Sequence, residues 1–153
     1  MLLGPMMLAG LLVSGGAIPA PAPAAQQPGL PASVPVAHAD YRFPSGAGLL
    51  FFYVKPDKTA DFEAIVARLS DVLDKTDDPT RKQQAASWRI LRSVEATPDA
   101  AIYVFMFVPA TPGADYDPIK VLGEALPTEV QGLYERLRDS VIRVERMGLA
   151  RIR

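Results

Sequence analysis

The chain has 153 residues, 49% of them hydrophobic, with 16 basic and 17 acidic side chains, a single histidine and no cysteine. A formal net charge of −1 with no cationic stripe argues against nucleic acid as a partner, because such readers cluster Lys and Arg with interleaved aromatics. The missing cysteines exclude disulfides, thiolate nucleophiles and cysteine-held metals.

The first charged side chain is Asp40. Before it, Met6 to Val13 form an apolar run that stops at Ser14-Gly15-Gly16. A spanning helix needs about 20 predominantly apolar residues, so residues 1–25 read as an export signal, with Ala22-Pro23-Ala24 as the small-residue cleavage site. An uncleaved membrane anchor is the rival, because residues 1–5 lack the usual Lys or Arg. Lipid attachment at a processed cysteine is ruled out. Residues 26–45 read as a disordered Pro/Ala-rich linker, and His38 within it as a solvated linker residue instead of a ligand or base. The expected address is periplasmic or secreted.

Residues 46–153 are left for one α+β domain. Leu49 to Lys55 is apolar on both faces and ends at Pro56-Asp57, which predicts a strand covered on two sides. Phe62, Ile65, Val66, Leu69, Val72 and Leu73 recur at helical spacing, with Asp57 or Thr59 as the N-cap. Asp78-Pro79 predicts a second cap and a short helical turn through Gln84 and Ala86. Trp88 to Glu95 alternates as a strand, and the turn at Thr97-Pro98-Asp99 leads into a two-sided apolar strand, Ala101 to Val108. Asp117-Pro118 opens a helix interrupted at Pro127. Thr128-x-x-Gln131 has the capping-box spacing ahead of Val130, Leu133, Tyr134, Leu137 and Val141. A last strand is expected from Ile142 to about Met147.

This order is β-α-β-β-α-β, the split βαβ or ferredoxin-like plan, an antiparallel sheet with helices on one face. Strands apolar on both sides then need a second cover, and a second copy of the same sheet is the simplest one. Phe51-Phe52-Tyr53-Val54-Lys55-Pro56 running into Phe62 and Glu63, together with Ile90-Leu91-Arg92-Ser93 and the Ile102–Val108 strand, resembles the dimeric α+β barrel superfamily, which includes the antibiotic-biosynthesis monooxygenase-like proteins. The resemblance covers about residues 46–147 and rests on element order and texture. It implies face-to-face sheets in a homodimer and a pocket between each sheet and its helices. The His, Asn or Trp that such enzymes often place in that pocket has no position-by-position match here.

Chemistry is sparsely signalled. No nucleophile elbow, phosphate loop, paired histidines or calcium loop is present, so no cofactor and no metal are expected. Asp115-Tyr116-Asp117 and Asp77-Asp78 read as loop and cap residues rather than cation ligands. Arg89 and Arg92 fall on opposite faces of their strand. Tyr53, Trp88, Arg92 and Tyr103 are the residues suited to an apolar pocket with polar handles, against plain core packing or an ion pair. Arg143, Arg146, Arg151 and Arg153 make a basic edge and tail. Three function classes fit: an exported non-catalytic domain that dimerises through its sheet and takes a small apolar or aromatic ligand; a cofactor-independent monooxygenase or isomerase using Trp88, Arg92 and Tyr103; and a cell-envelope adaptor. No nucleic-acid partner is expected, and membrane contact only through an uncleaved N-terminal segment.

Overall fold

The computed structural model describes residues 41–95 and 97–153. The readings of residues 1–25 as a signal and of residues 26–40, with His38, as linker lie outside these residues. Four strands form one antiparallel sheet: β1 (Gly48–Val54), β2 (Trp88–Arg92), β3 (Ala101–Phe107) and β4 (Val141–Gly148). The helices are α1 (Thr59–Lys75), α2 (Pro79–Ser87), α3 (Pro118–Ala125) and α4 (Val130–Ser140). Strand order is β2-β3-β1-β4, with every neighbouring pair antiparallel. The fold is therefore α+β with an open four-stranded antiparallel sheet and four helices.

Alternation along the two central strands sorts side chains to two faces. Leu50, Phe52 and Val54 on β1 and Tyr103, Phe105 and Phe107 on β3 are buried. They meet the α1 stripe of Phe62, Ile65, Leu69 and Leu73, with the Phe52 and Phe62 ring centroids 5.5 Å apart. Trp88, Tyr116 and Phe107 continue this core as an aromatic cluster, Phe107 to Tyr116 being 4.2 Å. Tyr41 and Phe43 lie in the same core, 2% and 1% exposed, so the fold extends upstream of residue 46. Their inclusion has a packing reason: the Phe43 ring sits on Gly48, where no side chain stands between it and Phe107.

Several local expectations need correction. The first helix has no side-chain cap from Asp57 or Thr59. A 3-10 turn at Pro56–Lys58 feeds straight into it, held by the Lys58 amide on the Lys55 carbonyl at 2.9 Å. The segment after Asp78 is a full nine-residue helix, with the Asp78 carboxylate accepting from the Arg81 amide at 2.8 Å. Asp117 caps α3 as expected, accepting from the Ile119 amide at 2.8 Å. The capping box at Thr128 does not form. The Leu126 carbonyl accepts from the Glu129 and Val130 amides, so the backbone already satisfies that entry. β2 stops at Arg92 rather than Glu95.

Candidate functional site

All the buried strand residues face the helices, which leaves the opposite face of the sheet with no described helix on it. The registers arrange it in rows. One row runs Arg89, Met106, Leu49, Met147; the next Leu91, Val104, Phe51, Glu145; the third Ile102, Tyr53, Arg143. Leu49, Phe51, Tyr53, Ile102, Val104 and Met106 are half-buried by one another, whereas Leu91 and Met147 are 52% and 48% exposed at the rims. Four strands about 4.8 Å apart and seven residues at about 3.4 Å give this face roughly 450 Å² in projection.

One polar cluster interrupts the apolar rows. The Arg143 guanidinium lies over the Tyr53 ring, 3.5 Å from its centroid. The Tyr53 hydroxyl donates to Glu145 Oε2 at 3.0 Å, and Arg143 Nε donates to Glu145 Oε1 at 2.9 Å. These bonds raise the Arg143 pKa further, the hydrogen bond to Glu145 being the largest cause. The three groups satisfy each other within one chain, a stacked guanidinium on an aromatic face closed by a carboxylate.

The four pocket candidates divide between the two faces. Tyr53 is on the open face; Trp88, Arg92 and Tyr103 are on the helix side. Arg92 and Tyr103 are brought together by Glu63 of α1, which is not among the four candidates. Glu63 Oε1 accepts from Arg92 Nη1 at 2.8 Å and from the Tyr103 hydroxyl at 2.6 Å. Burial first, and then the hydrogen bond to Glu63, push the Tyr103 pKa up from 10.0 to about 12. Trp88 stands apart from this trio at the other end of β2, packed edge-on against Phe107 and Tyr116. Its indole nitrogen is buried without a hydrogen-bond partner. Trp88 and Tyr103 are packed into the core, and Arg92 pairs with Glu63 at the sheet's end. Helical spacing from Phe62 places Glu63 beside the stripe, but only the β2–β3 register shows which strand residues it meets.

An open groove of about 510 Å³ at the end of the sheet is lined by Pro56, Thr59, Arg92, Glu95, Ala100 and Ala101, and another of about 310 Å³ lies among α1, α2 and α3 beside Leu73, Arg81, Val121 and Glu124. A smaller, less open one of about 150 Å³ lies between the sheet and α3–α4, lined by Tyr41, Phe52, Asp117, Pro118, Ile119, Tyr134 and Leu137. Ligand pockets usually measure about 300–1,000 Å³, so this one has room for a few heavy atoms. Burial raises the pKa of Asp117 despite its two backbone hydrogen bonds. The Tyr41 pKa is raised as well, by burial and then by the nearby Asp117 and Asp115 charges. Among the described residues no group of three His, Cys, Asp or Glu side chains could hold a metal ion. No helix there is long and apolar enough to cross a membrane. Asp115 pairs with Lys120 and Asp117 caps α3, so both carboxylates of that loop have structural work.

No protein-family model matches this chain, and neither the curated proteins nor the solved structures contain a match to it.

Proposed function

We propose that this chain is an exported, non-catalytic domain of ferredoxin-like plan that pairs with a second copy of itself through the open face of its sheet. Support for the plan comes from the crossovers: β3 lies between β1 and β2, and β1 between β3 and β4, with each crossover broken into two helices. The observation that carries the pairing is the two-sided character of β1 and β3. Leu49, Phe51, Ile102, Val104 and Met106 cover a face with no described helix on it. Contiguous apolar patches of several hundred Å² mark interaction sites on soluble domains. Two such faces together span roughly 900 Å² in projection and more in accessible surface, which approaches the roughly 1,200 Å² of the smaller specific interfaces.

A second copy fits better than an unrelated ligand. The polar cluster Tyr53–Arg143–Glu145 is internally satisfied, so it can be covered without leaving a carboxylate unpaired. The small-ligand part of the reading has the 510 Å³ groove beside Arg92 for a larger ligand and the 150 Å³ cavity at Tyr41 for a compact one.

Light scattering and sedimentation equilibrium test the pairing. The expected result is two chains per particle at micromolar concentration, with Phe51→Asp and Val104→Asp yielding one chain per particle and an unchanged far-ultraviolet circular dichroism spectrum. A wild-type protein that stays monomeric across that range refutes the proposal.

A further inference from the structure

Given that self-pairing, the charges on the open face select how the two copies are oriented. A closed two-chain assembly is isologous, so each contact occurs twice about a two-fold axis. Two directions of that axis bring the faces of aligned sheets together. With the axis across the strands, every strand lies over its own copy and the rows reverse order. The middle row, Leu91, Val104, Phe51, Glu145, then lies over itself, and Glu145 meets the partner's Glu145 in an apolar, poorly solvated setting. Each carboxylate keeps its own Arg143 and Tyr53, but the two face each other and gain no new partner, so this arrangement is the less favourable one.

With the axis along the strands, rows keep their order and β2 of one chain lies over β4 of the other. Glu145 then faces the β2 rim, where Leu91 occupies its own row and Arg89 the neighbouring one. Arg89 is exposed, and among the described residues it has no carboxylate partner. Its guanidinium donates only to the Trp88 carbonyl, at 3.1 Å. Arg143 stands in the row on the far side of Glu145, so an arginine arriving from β2 approaches the side of the carboxylate that Arg143 leaves open. We infer that the two copies pack with β2 over the partner's β4, and that Arg89 of each chain pairs with the partner's Glu145. These two equivalent ion pairs fix the direction of the axis, and the apolar rows supply the attraction between the copies.

Charge reversal in the full chain tests this. Arg89→Glu and Glu145→Lys should each raise the dimer dissociation constant about 100-fold, because each places two like-charge contacts in the interface. An equimolar mixture should recover dimers that contain one chain of each, since both contacts become attractive again. Native mass spectrometry of differently labelled chains reads that composition. Because Glu145→Lys also removes the acceptor of Tyr53, a second comparison avoids it: Arg89→Glu/Glu145→Gln should dimerise more tightly than Arg89→Glu alone. Recovery in both experiments supports the pairing. A dimeric wild type whose single variants dimerise unchanged, or whose mixture recovers nothing, overturns the orientation and leaves the self-pairing intact. A monomeric wild type overturns both.

Discussion

Gly48 shows how one residue type governs a core. A Cβ built there would lie 2.0 Å from the Phe43 ring, which is deep inside van der Waals contact. Gly48→Ala must therefore displace Phe43 from Phe107 and Tyr116 or bend β1. We expect a loss of about 1–3 kcal/mol, the usual range for overpacking, read by urea unfolding; a loss under about 0.5 kcal/mol, the range of ordinary surface changes, would show that Phe43 is not held there. Tyr103 gives a second test at this scale. Its folded pKa is raised to about 12 from 10.0, so the folded state keeps the proton while an unfolded tyrosine loses it. The stability this contributes is complete below pH 10 and is lost as pH rises toward 12. Tyr103→Phe should flatten the decline of melting temperature in that window. Part of the decline should remain, because Tyr41 is raised too. Identical alkaline slopes for the two proteins would contradict the assignment.

At the scale of elements, the two Asp-Pro pairs and the Thr128 motif carry similar local signals with different outcomes. Asp78 and Asp117 cap α2 and α3 because a proline at the first helical position leaves the following amides aimed at the carboxylate. Thr128 stands before an entry that the Leu126 carbonyl already serves, while Glu129 is drawn to Arg68, at 2.9 and 3.0 Å. Asp117→Ala should cost about 1 kcal/mol, whereas Thr128→Ala should stay within about 0.5 kcal/mol. Equal losses in thermal unfolding would mean that Thr128 caps after all. The stripe of α1 was legible because Phe62, Ile65, Leu69 and Leu73 repeat at the helix period. Caps were less legible, since a motif states which bonds are available and says nothing of the backbone carbonyls that compete for the same amides.

At the scale of the molecule, the four helices of the described residues lie on one side of the sheet, and the proposed pairing uses the other side. The address is a separate matter and rests on the charge-free first thirty-nine residues. If they direct export, protein recovered from the envelope or medium of an expressing bacterium should begin near Ala25 by intact mass. Recovery only of chains that begin at Met1 would refute cleavage.

The sequence by itself determined the order of the main strands and helices, the lack of cysteine and the apolar texture of both faces of β1 and β3, because each follows from local periodicity and composition. Only the tertiary structure decided which residues meet. It put Tyr53 on the opposite face from Trp88 and Tyr103, drew Arg92 and Tyr103 to Glu63, and set Arg89 and Glu145 at opposite rims of one face. Such pairings depend on strand register, and register is a property of several segments packed at once.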